Sequence, residues 1–135
     1  MMEVDRNTII TAALEARDKA ISPYSEYPVG AALVTGSGEI ITAGNIESST
    51  YGLTMCAERI ALFSALSRGY REFSAIAIAT EDGASPCGAC RQLLWEFAGD
   101  CVIYLVGPAG KTETRSLSEL FPSPFDQRNL SGTGE

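Results

Sequence analysis

The chain has 135 residues, 45% of them hydrophobic, and contains no histidine. That length sustains one packed domain and is short for two. A net charge of −7 and a pI near 4.6, with ten scattered Lys and Arg, argue against a nucleic-acid polymer as partner and leave small neutral metabolites open.

Residues 8–21, TIITAALEARDKAI, place apolar residues at helical spacing, and the prolines of the following ISPYSEYP break the helix into a loop. VGAALVT and EIITAGNIE flank GSG, the pattern of a hairpin with a glycine-rich turn. Residues 54–68 predict a second helix, capped by Thr54 and stopped at Gly69. FSAIAIAT is a nearly continuous apolar run and predicts a buried strand. SPCGACRQLLWEFAG predicts a third helix, with Ser85 as cap, Pro86 in the first turn and Gly99 at the end. CVIYLVG predicts another buried strand, GKTETRSL a short edge strand, and SLSELFP a short helix. The end of the chain, about 131–135, is expected to be a loose tail. Helices alternating with strands imply a layered α/β domain with a mixed sheet over residues 1–135. No apolar run approaches the roughly 18 residues of a membrane span, and the N-terminus lacks a basic-then-apolar leader profile. A cytoplasmic protein with no membrane partner is the expectation.

Four cysteines, Cys56, Cys87, Cys90 and Cys101, carry the chemical interest. Cys87 and Cys90 stand three apart at a predicted helix start, on one side of the first turn, where unpaired N–H groups and the helix dipole favour thiolates. Cys56 stands near the start of the preceding helix, two residues before Glu58. Two helix starts converging on one point would gather three thiols and a carboxylate. Three protein ligands leave a fourth zinc position open, as in catalytic sites. The residues also admit a redox pair Cys87–Cys90, a closed four-thiolate structural zinc site using Cys101, or small hydrophobes facing a core.

Five separate segments, PYSEYPVGAAL, AGNIESSTYG, CAER, SPCGACRQ and SELFPSPF, resemble the cytidine deaminase family, in particular its small homotetrameric nucleoside-acting branch. The resemblance covers about residues 24–130. It implies a three-layer α/β/α fold with a mixed sheet of about five strands, and hydrolytic deamination of cytidine or 2′-deoxycytidine with zinc as cofactor. It further implies Cys56, Cys87 and Cys90 as zinc ligands, Glu58 as the catalytic proton carrier, and Arg59 as the cation that offsets the thiolate charge. Tyr27 matches a position where the family usually has Phe and would stack on the base. Asn45 and Glu47 match the pair that binds the ribose hydroxyls, and Ala57 the residue whose N–H meets the base carbonyl. Tyr51 and Phe125 match positions that reach into a neighbouring subunit's site in a homotetramer. Arg91 has only its adjacency to Cys90. Polynucleotide-editing deaminases usually carry a histidine ligand, which this chain lacks. Deaminases of nucleoside antibiotics share CAE and PCxxC but lack the full N-x-E motif present here.

Overall fold

Side chains alternate along the central strands and divide the core in two. The computed structural model describes residues 3–131. Five strands, β1 (Gly30–Thr35), β2 (Ile40–Gly44), β3 (Phe73–Ala79), β4 (Val102–Val106) and β5 (Thr112–Ser116), form one sheet in the order β2-β1-β3-β4-β5. Only β3 and β4 are parallel; β1 pairs antiparallel with β2 and β3, and β5 antiparallel with β4. The helices are α1 (Arg6–Arg17), α2 (Ala57–Ser67), α3 (Gly88–Ala98) and the short α4 (Leu117–Leu120) and α5 (Gln127–Ser131). Ala31 and Leu33 of β1, Ile76 and Ile78 of β3, and Ile103 and Leu105 of β4 meet α2, α3 and α4. The intervening Ala32, Val34, Ala75, Ala77, Ala79 and Val106 meet α1 on the other face. The result is the expected layered α/β architecture with a mixed five-stranded sheet, and residues buried on both faces explain the continuous apolar runs in β1 and β3.

Helix α1 lies very close to the sheet. A Cβ on Gly30 would sit 2.1 Å from the Ala13 carbonyl oxygen and 2.3 Å from the Arg17 nitrogen; one on Gly44 would sit 2.8 Å from the Ala20 Cα. Glycine at both places lets the α1 backbone touch the ends of β1 and β2. Asp5 caps this helix, its carboxylate accepting from the Thr8 N–H at 3.2 Å.

Several boundaries differ from the sequence expectation. The first helix ends at Arg17 rather than near residue 21, because Ile21 donates its N–H to the Asn45 carbonyl and accepts from the Glu47 N–H. Extended pairing there replaces a further helical turn. The second helix starts at Ala57, not Thr54: Met55 pairs with Ile46, and the Thr54 hydroxyl accepts from the Ser48 N–H. The third starts at Gly88 with Cys87 as cap, so Ser85 and Pro86 precede it; Gly99 ends it as expected. Of the expected loose tail, Ser131 closes α5, and residues 132–135 lie outside the described residues.

The close approach of α1 predicts that Gly30→Ala destabilises the fold by about 2 kcal/mol or more, since two backbones must separate to admit one methyl. Urea unfolding should show a lower midpoint, while an alanine at Gly52, where nothing lies within 4 Å, should leave it near the parent value.

Candidate active site

Cys56 and Cys87 occupy the N-cap positions of α2 and α3, and neither makes a side-chain capping hydrogen bond. Cysteine is a poor cap, and substituting a good cap typically costs about 1 kcal/mol. Both thiols are left free to face a common point. Cys90, on the first turn of α3 and fully buried, completes the group. The three Sγ atoms all lie within 4.8 Å of one another, with Cys87 and Cys90 at 3.4 Å. Three sulfurs held tetrahedrally at about 2.3 Å from a zinc ion would be about 3.8 Å apart, so this spacing fits the ion. The all-sulfur donor set fits it as well.

Cys101 does not belong to this group. It immediately precedes β4, whose first residue Val102 pairs with Ala75 in the first half of β3, whereas the cluster lies off the other end of β3. Burial pushes the Cys101 thiol up to about 12, the behaviour of a small core hydrophobe. All four cysteines are free.

The cluster's electrostatics follow from crowding. Hydrogen bonding from Cys90, helped by Arg59, brings the Cys56 thiol well below the usual thiol range against the opposing effect of burial. Its bond to Cys56 and its own burial push Cys90 up instead. One thiol thus ionises at another's expense when no cation is present to neutralise them. Arg59 donates from Nη2 to the Cys56 sulfur at 3.2 Å, and its Nε is buried with no partner. Glu58 is 5% exposed, and burial holds its carboxyl above the usual carboxylate range, with the Cys56 charge adding to the effect.

A cavity of about 450 Å³ opens above these groups. Tyr27, Asn45, Glu47, Ala57 and Glu58 line it together with Cys56 and Cys87. Asn45 is buried; its Oδ1 accepts from the Val29 N–H at 3.0 Å and its Nδ2 donates to the Tyr27 carbonyl at 3.1 Å. The side-chain amide thereby pairs with the backbone on both sides of Pro28, which has no N–H of its own. Glu47 accepts from the Tyr24 and Ser25 N–H groups at 3.0 and 3.1 Å and from the Ser25 hydroxyl; these bonds hold its carboxyl below the usual range. Tyr51 is 73% exposed, packs edge-on against Tyr24 at 5.7 Å, and lines an adjoining hollow of about 340 Å³. Phe125 is 57% exposed, away from the cavity lining of its own chain.

The sequence showed Arg91 only as a neighbour of Cys90 and did not single out Asp82. Arg91 donates to the Pro86 carbonyl, the Ser85 hydroxyl and the Leu120 carbonyl at 2.8, 2.8 and 2.9 Å. It therefore fixes the segment carrying Cys87 to the C-terminal part of the chain. Asp82 accepts from the Tyr27 hydroxyl at 2.5 Å; its only local signal is an Asp-Gly turn.

Three thiols beside a buried carboxyl, under an open cavity on an α/β scaffold, define a zinc-dependent hydrolase rather than a redox pair or a closed structural site. The profile of the "Cytidine and deoxycytidylate deaminase zinc-binding region" matches residues 3–106, and the chain belongs to that family. A cytidine deaminase from Sporosarcina psychrophila is 43% identical over 135 residues, covering 98% of this chain and 99% of its own length. The crystal structure of a cytidine deaminase from Burkholderia pseudomallei superposes with a TM-score of 0.86 at 43% identity, over 90% of this chain and all of the other. A blasticidin-S deaminase from Bacillus cereus is 37% identical over 111 residues, covering 75% of this chain and 79% of its own. Zinc is the cofactor.

Serine in place of Cys56, Cys87 or Cys90 should each strip zinc from the purified protein, while Cys101→Ser retains it. Elemental analysis of the four variants checks this, and metal loss from Cys101→Ser would restore a structural role for that residue.

Proposed function

We propose that the protein hydrolyses cytidine and 2′-deoxycytidine to uridine and 2′-deoxyuridine, consuming one water and releasing one ammonia, in pyrimidine salvage. The carrying observation is that one cavity holds the three sulfurs, the buried Glu58 and the Asn45–Glu47 pair together. In this reading Cys56, Cys87 and Cys90 hold zinc. When bound, zinc supplies the Lewis acidity that makes water a nucleophile near neutral pH.

Glu58 takes one proton from the water that attacks the amine-bearing ring carbon and passes it to the adjacent ring nitrogen; it then takes the proton of the newly added hydroxyl and gives it to the amine, which leaves as ammonia while the carbonyl forms. A carboxyl whose proton affinity is raised by burial suits this, because it is a stronger base than an exposed carboxylate and still an acid. Ala57 is the first residue of α2, so its N–H has no intrahelical partner and is available to the base carbonyl. The Tyr27 ring stacks on the base, and Asn45 and Glu47 hold the ribose hydroxyls. Arg59 offsets the net negative charge of a three-thiolate zinc centre through its bond to Cys56.

Neither Lys nor Arg lines the cavity, while Glu47 and Glu58 do. A phosphate would meet negative charge with no counter-ion, which favours a free nucleoside over a nucleotide or a polynucleotide. The working form in this reading is a homotetramer, with Tyr51 and Phe125 of each subunit reaching a neighbour's cavity; their exposure on one chain supports this. No helix among the described residues is long and apolar enough to cross a membrane, and a site built on three reduced thiols suits the cytoplasm.

Ammonia release from cytidine, deoxycytidine, their monophosphates and blasticidin S tests the reading; turnover of blasticidin S alone would assign the protein to antibiotic inactivation. Glu58→Gln should keep zinc and fold yet lose at least about 10² to 10⁴ in kcat, the range for one positioned proton carrier. Near-parental turnover in a zinc-replete Glu58→Gln protein would reject the mechanism.

Phe125→Ala should raise KM for cytidine without affecting zinc content. An active monomer in light scattering would contradict the shared site.

A further inference from the structure

Tyr27 is anchored at both ends. Asn45 holds its carbonyl, and its hydroxyl donates to Asp82 Oδ1 at 2.5 Å. The same Asp82 oxygen accepts from the Thr80 hydroxyl at 3.2 Å and from the Ala84 N–H at 3.3 Å. Thr80 in turn accepts from the Gly83 and Ala84 N–H groups at 2.7 and 3.1 Å, and the Arg17 guanidinium donates to the Thr80 carbonyl at 3.0 Å. The hydroxyl of Tyr27 thus joins the segment before β1 to the turn after β3. That turn runs on directly into Cys87. Tyr27, Thr80 and Ala84 all line the 450 Å³ cavity.

We propose that the Tyr27–Asp82 hydrogen bond is a latch across the cavity rim that holds the Tyr27 ring as a fixed wall and so sets substrate affinity, with Asp82 a positioning residue for that ring. The proposal rests on the nucleoside reading of the cavity. A phenylalanine ring in the same place would keep the stacking face but lose the bond that ties its far end to Asp82. With the latch closed, the ring and the 80–84 turn are ordered before substrate arrives, so less freedom is lost on binding. A bond from a phenol to a carboxylate is charge-assisted, and the solvent exposure of Asp82 brings it back toward the ordinary range. Asp82 is exposed and makes no contact with the sulfur cluster among the bonds described. Its effect on the reaction therefore runs through Tyr27 and the turn.

The test uses zinc-loaded, full-length parent, Tyr27→Phe, Asp82→Ala and the double variant, with cytidine as substrate. Each single variant should raise KM about three- to ten-fold, the range for loss of one ordinary hydrogen bond, with the loss falling on KM more than on kcat. The double variant should be no worse than the poorer single, because both remove the same bond. Asp82→Asn, which keeps an acceptor oxygen, should recover part of the loss. Hydrogen exchange without ligand reads the latch directly: Gly83 and Ala84 amides should exchange faster in Tyr27→Phe, a change distant in sequence that leaves their own turn bonds intact. Parental KM in Tyr27→Phe, strictly additive losses, or unchanged exchange would each overturn the proposal. A parent that releases no ammonia from cytidine would instead reject the nucleoside reading, and the exchange experiment would still judge the latch.

Discussion

Three thiols crowded within 4.8 Å are the constraint around which the rest of the site is arranged. Were all three ionised with no cation, each pair would repel by about 4 kcal/mol at an effective dielectric near 20. The opposite shifts of Cys56 and Cys90 come chiefly from the hydrogen bond between them, with burial and then charge repulsion adding to the rise at Cys90. Zinc removes most of it but leaves the centre one unit negative. The remaining compensation has to come from the protein. In the proposed site it would come from two helix N-termini, whose partial positive charge is greatest at the capping positions held by Cys56 and Cys87, and from Arg59, which bonds the Cys56 sulfur. Glu58 stands beside this centre, and burial, with the Cys56 charge adding to it, raises the proton affinity of its carboxyl.

The sheet explains how two helix starts come to meet. The parallel pair β3–β4 requires the crossover helix α3, which must begin beyond the C-terminal end of β3. Helix α2 enters β3 from the same face and packs on the same half of the core. Both helices thus present their N-termini at one edge. On the opposite face α1 presses against β1 and β2 through Gly30 and Gly44, and its last turn carries Arg17 to the Thr80 carbonyl. The glycines belong to the site in this indirect sense: they let the far layer reach and brace the turn that leads to Cys87.

The strands and three long helices were legible because their signals are local and repeated: apolar alternation, continuous apolar runs and terminal glycines. The errors cluster at the chemistry. Thr54 and Ser85 are better caps than Cys56 and Cys87 on intrinsic grounds, and pattern reading chose them. The structure places cysteine there instead, and neither thiol caps its helix. A functional demand overriding a local preference is where such reading should fail. The end of α1 was misplaced because the competing bonds of Ile21 go to Asn45 and Glu47, partners more than twenty residues away. Arg91 and Asp82 were opaque for the same reason: their partners are Leu120 and Tyr27. The grouping of Cys56 with Cys87 and Cys90, by contrast, was legible as one of several readings from two helix starts bearing thiols, and family resemblance singled it out.

The AGNIE segment shows how one short stretch serves fold and ligand together. Asn45 satisfies the backbone around Pro28, and Glu47 gathers the amides of residues 24 and 25. Both side chains face the cavity with their positions already fixed by these bonds. An amide retains a second N–H and a second lone pair, and a carboxylate has four acceptor directions, so each still has capacity for a hydroxyl. Binding a ribose would then require little reordering of either side chain, and little entropy would be lost at that end of the substrate. The same bonds shape the wall: by holding residues 24–29 against β2, they bring Tyr27 within reach of Asp82. The segment that would recognise the sugar thereby also sets where the ring beside the base can stand.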